Sequence, residues 1–320
     1  MKVPSSNALY HQFSADLVSL SDADEVHFDF ADVKFATPGW MITIGAALRQ
    51  FREEKNEVRR KCINFHHLTY PAHAGFFKFF GMNFGRDLGA APANERFIAI
   101  KPLMVEAIKD EAIDQMEHHG ETLQRLSEQL IEVLLQANGT PAFQALSYAM
   151  REMMRNVVEH SRSAELAYAA QYWPATGSAE IAISDRGIGL AKSLASNPKI
   201  GPVNDDEALD LGVQPGVSSK TWRKQSSRSD WNNSGYGLYM AKGLCVASGG
   251  SLSIASGSVA KTWSKQGAPS FQTNHHGTTV ILQLNSDNLE GIDRELEKLR
   301  NEAHGGKPSA ASLSLNPGKG

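Results

Sequence analysis

Cysteine is scarce in this chain: there are two in 320 residues, Cys62 and Cys245. Each lies in an apolar-rich segment with no second Cys nearby. This predicts two small buried hydrophobes in a reduced compartment. An excess of one charge is lacking too. Lys and Arg number 32 against 35 Asp and Glu, a formal net charge of −3. That balance gives no bulk attraction for nucleic acid or an anionic membrane. Long hydrophobic runs are also missing. The best, residues 40–48, stops at Arg49 and is too short to span a bilayer. Residues 1–6 have no apolar stretch of the signal-peptide kind. The expectation is a cytoplasmic protein with no membrane partner and no indicated nucleic-acid partner.

The length suggests about two domains, each able to bury its own core. In the first hundred residues, strand-like and helix-like segments alternate. Val26, Phe28 and Phe30 alternate with His27 and Asp29, the period of a strand. Residues 40–54 predict a helix, with Pro38 near its start, where a missing N–H costs nothing. A second strand is expected at 62–68, a Phe-rich helix at 72–82 and a third strand at 96–100. This order predicts right-handed crossovers and parallel pairing in a small α/β domain over residues 1–102. Residues 103–139 carry apolar positions at helical spacing and are expected as a helical connector. Gly139, Thr140 and Pro141 end one helix and start another, which runs from about Pro141 to His160. From residue 303 the chain is rich in Gly, Ser, Ala, Lys and Pro, a composition that predicts disorder. The boundaries read as 1–102, 103–139, 140–290 and 291–320, the last being a helix end and tail.

Four short elements bear on chemistry. Glu152 and Asn156 are four apart on a predicted helix and so share a face. A carboxylate there can orient water, and an amide oxygen can complete the shell of a hydrated Mg²⁺. A solvated polar stripe would give the same pattern. Next, residues 181–184 form an apolar strand that delivers Asp185, followed by Gly187 and Gly189. A strand-end carboxylate can accept a hydrogen bond from an exocyclic amine such as that of adenine. The glycines let the backbone approach a flat ring, although a plain tight turn reads alike. Third, Gly235, Tyr236, Gly237 and Leu238 lead into a helix, whose first N–H groups can hold a phosphate. Last, Gly277 and Thr278 open a strand.

In this order the elements resemble a known family. Residues 140–286 look like a GHKL ATP-binding domain, the fold shared by histidine-kinase catalytic domains, anti-sigma kinases and related chaperone ATPases. Glu152 and Asn156 match its N-box. Asp185, Gly187 and Gly189 match its first glycine box, Gly235, Gly237 and Leu238 its second, and Thr278 its terminal Gly-Thr strand. The resemblance implies an α/β sandwich with a mixed sheet under helices and a site for ATP and Mg²⁺. In it Asn156 would bind the metal, Asp185 would hold the adenine, and the Gly235–Leu238 helix entry would bind phosphate, with Tyr236 within that entry. Residues 192–233 would form the lid, in which Lys220, Arg223, Lys224 and Arg228 could close on the triphosphate. The first domain resembles, more loosely, the STAS-like partners of anti-sigma kinases. Thr37 stands where phosphorylatable members carry a hydroxyl, but Ala36 replaces the Asp often found beside it.

Three activities are open to such a chain. A sensor histidine kinase is disfavoured, because His118 and His119 lack the His-Glu-x-x-x-Pro signature. A serine/threonine protein kinase of the anti-sigma type needs no such motif. The preferred reading is an ATPase or ATP-gated switch acting through protein partners, with Glu152 as the residue that orients water. A switch without turnover stays open, as does a homodimer.

Overall fold

The computed structural model describes residues 1–6, 8–20, 22–114, 119–219 and 235–303. The tail from 304, the basic lid positions 220–228 and His118 therefore lie outside the described residues.

Thr37 and Thr140 start two of the long helices in the same way. Their hydroxyls accept the N–H of Trp40 at 3.2 Å and of Phe143 at 3.0 Å, and a proline follows each. The elements in chain order begin with α1 (Phe13–Val18), β1 (Glu25–Asp29), α2 (Pro38–Glu54), β2 (Arg59–Ile63), α3 (Thr69–His73) and α4 (Phe76–Phe79). Next come β3 (Phe97–Met104), α5 (Val105–Asp114), α6 (His119–Leu135), α7 (Pro141–His160), β4 (Glu165–Trp173) and β5 (Ser178–Asp185). The remainder is α8 (Leu190–Ala195), α9 (Asp205–Gly212), α10 (Gly237–Ala247), β6 (Ser251–Ser264), β7 (Ser270–Asn285) and α11 (Leu289–Ala303). The fold is mixed α/β.

β1 and β2 pair in parallel, as expected of strands joined through a helix. The strand expected at 96–100 does not join them. It is β3, the edge of a five-stranded sheet ordered β3-β4-β5-β7-β6, and it runs through the boundary expected at 102. The reason is its double-sided apolar character. Phe97, Ala99 and Ile100 face one core, while Ile98 and Leu103 face the other. Only a strand between two layers buries both faces. The large sheet is not mixed either: its four pairings are all antiparallel. Short hairpins join β4 to β5 and β6 to β7, which forces that sense. β5 and β6 do run the same way, but β7 lies between them.

The Phe-rich segment also differs from expectation. Its single helix breaks into α3 and α4 at Gly75, which adopts a left-handed φ of 85°.

β5 is the centre of the molecule. Ala179, Ile181 and Ile183 face a core built with α6, α7, α10 and α11. Ala182 falls in the second core with Ala167, Ala169 and Ile281, and α2 packs on this face, with Gly39 set against Glu180 and Ile281. The alanines leave room for α2 to lie close on the sheet. Of the cysteines, Cys245 is buried and Cys62 half-buried; both are free, and burial pushes their thiols up to about 12 and 11. Among the described residues no helix is long and apolar enough to cross a membrane.

Candidate functional site

α7 and the end of β5 frame the site. Glu152 and Asn156 lie one turn apart on α7, and Asp185 is the last residue of β5. Thr278 sits beside it on β7, where Thr279 pairs with Ser184. The start of α10 closes one side. Glu152, Asn156, Asp185, Gly189, Gly235, Gly237, Leu238 and Thr278 all line one pocket. Thus eight of the ten sequence-expected positions meet at one place.

The other two, Gly187 and Tyr236, are not part of the pocket lining. The Gly187 N–H donates to Asp185 Oδ1 at 2.7 Å. A Cβ at Gly187 would lie 2.0 Å from the Ser161 carbonyl oxygen, so no side chain fits there. The turn is fixed further by Ile188, whose N–H donates to that carbonyl at 2.7 Å. Tyr236 is the N-cap residue of α10, and its side chain makes no cap hydrogen bond. The first N–H groups of α10 are therefore not claimed by a capping side chain. Gly237 also serves packing, because a Cβ there would crowd Glu152 Cβ at 3.3 Å and the Ala149 carbonyl at 3.4 Å.

Asp185 is 4% exposed. Burial pushes its carboxyl up to about 6, partly opposed by the backbone N–H groups of Gly187 and Thr278. A carboxylate has about four acceptor sites, so two backbone donors leave capacity for a further donor in the pocket. Glu152 is also raised by burial, while Arg155 and Arg151 pull it down. Its contacts are Arg155 at 3.4 Å and Arg151 at 3.6 Å. Asn156 is exposed, and its amide makes no hydrogen bond to any described residue.

Sequence reasoning missed the apolar wall. Met153 and Val157 of α7, Ile183 of β5, Leu190 and Leu194 of α8, and Val280 of β7 line the pocket between the polar groups. In the sequence they are indistinguishable from core residues. It also missed Ser256, whose hydroxyl donates to the Gly277 carbonyl at 2.9 Å and accepts the Leu190 N–H at 2.8 Å. The described part of the expected lid, residues 192–219, includes α9. α9 starts at a capping box formed by Asn204 and Glu207, and Asp210 ties it to Lys261 of β6 at 2.7 Å. Val217, Ser218 and Ser219 complete the pocket wall.

Among the described residues no cluster of three or more His, Cys, Asp or Glu could hold a metal ion. That is compatible with Mg²⁺, which keeps most of its waters and takes one or two protein ligands alongside phosphate. Compared with known proteins, the chain matches no family model, no curated protein and no solved structure.

Proposed function

We propose that this chain is a Mg²⁺-dependent ATP-binding protein with ATPase or ATP-gated switch activity that acts through protein partners. One observation carries the reading. Four motifs spread over more than a hundred residues converge on a single pocket with an apolar slot, a buried carboxylate and an uncapped helix start. The slot and Asp185 suit adenine and its exocyclic amine. The N-terminus of α10 suits phosphate. The free amide of Asn156 suits the metal shell. Mg²⁺ and ATP, when bound, would supply a transferable phosphoryl group with much of its charge neutralised. Glu152, made more basic by burial, would orient the attacking water.

The fold is compatible with the same reading. The five-stranded sheet carries α6 and α10, with α7 packed against both. This layering supports a GHKL-like sandwich although the sheet is antiparallel throughout, and the β1-α2-β2 unit supports a STAS-like arrangement in front of it. The position of Thr37 favours water over an internal hydroxyl as acceptor. Thr37 is buried at the start of α2, against Glu180 on the far face of the sheet. Five residues of strand, about 16 Å, separate Glu180 from Asp185.

Labelled ATP and Mg²⁺ incubated with the pure protein test the proposal. Slow phosphate release is expected, with no stoichiometric label on the chain. Glu152→Ala should keep its ATP affinity and lose about 10²–10⁴-fold in turnover. Absence of ATP binding by calorimetry would remove the proposal. Label that stays on the wild type and is lost in Thr37→Ala would replace it with the kinase reading.

A further inference from the structure

The end of β5 that presents Asp185 and the irregular stretch of β7 that presents Thr278 are held from outside by α2. Glu53, on its last turn, accepts from Arg186 Nη1 at 3.1 Å and from Arg186 Nη2, a two-point fork. Arg186 directly follows Asp185. Gln50, one turn earlier, is buried, and its Oε1 accepts the backbone N–H of His276 at 3.1 Å. Glu54 meets the ring of the same His276 at 3.2 Å. Arg49 braces Glu53 at 3.3 Å and also pairs with Glu165 at the start of β4. The two segments themselves abut: a Cβ at Gly277 would lie 2.1 Å from the Asp185 carbonyl oxygen. Whatever fixes one segment constrains the other.

We infer that the C-terminal turn of α2 is a positioning element of the nucleotide site, with Glu53 acting through Arg186 and Gln50 through the His276 backbone. The inference rests on the nucleotide reading above and deepens it. Neither residue touches the pocket. Their effect is to hold the backbone donors of Gly187 and Thr278 onto the Asp185 carboxylate. By linkage, a partner that loosens α2 lowers nucleotide affinity, and bound nucleotide tightens α2 by the same factor.

The test uses the full chain and three variants: Glu53→Ala, Glu53→Gln and Arg186→Gln, the last breaking the fork from the loop side without altering α2. Mg²⁺-ATP affinity is measured by calorimetry between pH 5 and 8, and amide exchange at Gly187 and Thr278 is followed without nucleotide. Glu53→Ala should bind about two- to fivefold more weakly, the upper range of an exposed ion pair. Glu53→Gln, which keeps an acceptor, should fall between it and the wild type. The pH midpoint of binding should move upward as Asp185 loses its donors, and both amides should exchange faster. A general loss of stability would not move that midpoint. Wild type that binds while Glu53→Ala and Arg186→Gln match it in affinity, midpoint and exchange overturns this inference alone. Wild type that binds no nucleotide overturns the nucleotide reading and this inference with it.

Discussion

Gly39 and Glu180, 141 residues apart in the chain, meet at 2.6 Å, where the Gly39 N–H donates to the Glu180 carboxylate. The Thr37 hydroxyl donates to the same carboxylate, so a residue of β5 satisfies the first turn of α2. Only glycine allows this approach. A Cβ on residue 39 would come within 2.9 Å of both Glu180 Oε1 and the Ile281 side chain.

Glu180→Ala should therefore cost about 1–3 kcal/mol in denaturant unfolding, because it leaves two buried donors unpaired. Glu180→Gln keeps an acceptor and should cost less. Burial raises the folded-state pKa of Glu180. The folded protein thus holds this proton more tightly than the unfolded chain does. This group's contribution to stability is greatest at low pH and declines as pH rises through the carboxylate range. Glu180→Gln should lose that slope, and a slope equal to wild type would contradict the assignment.

Asp185 gives the second pH signature. Its carboxyl rises from an ordinary 3.8 to about 6. Stability without ligand should therefore fall between about pH 4 and 6, by on the order of 2–3 kcal/mol. Asp185→Asn should remove the fall and be the more stable protein at pH 7. The same change should weaken ATP binding by about 1.5–3 kcal/mol, ten- to more than a hundredfold. A variant that is both more stable and binds ATP normally would refute the adenine role.

Asn156→Ala should leave stability nearly unchanged, since its exposed amide has no partner among the described residues. It should weaken Mg²⁺-ATP more than metal-free ATP. Equal losses in parallel titrations would assign Asn156 to the nucleotide and not to the metal.

Gly187→Ala tests the loop sterically. The added methyl meets the Ser161 carbonyl at 2.0 Å, and backbone cannot move aside as a flexible side chain can. A loss of about 2 kcal/mol or more is expected in thermal or denaturant unfolding, from overpacking. Gly139→Ala has open space around it, so it suffers only the strain of its left-handed φ of 70° and should cost less.

The sequence made some of this legible. The helix starts at Thr37 and Thr140 are local signals, a hydroxyl before a proline, and both caps form. That most of the polar positions meet at one pocket was legible because their spacing and order in the chain carry the pattern. Strand partners were not, because pairing is a long-range choice. β3 pairs with β4 across residues from Phe97 to Gln171, and nothing near residue 97 records that. β4 itself escaped notice because three of its nine residues are alanine, a weak strand former. Ala167 and Ala169 make sense only once α2 lies over them, while Ala170 faces the other core. Glu53 and Gln50 look like an ordinary polar helix end until the segments they hold are in view.

The position of α2 has a consequence for how this chain can be divided. The alanine-lined face of the sheet, with Ala167, Ala169, Ala182 and Ile281, is dry only because the first hundred residues cover it. A fragment cut at the start of α7 would also lose β3, exposing the β4 edge beside an uncovered apolar surface. Such a piece would clump with its own kind long before it met a ligand. Transplanted as a cassette behind some other protein, the later half would arrive without its lining, so the two halves have to be expressed and engineered together.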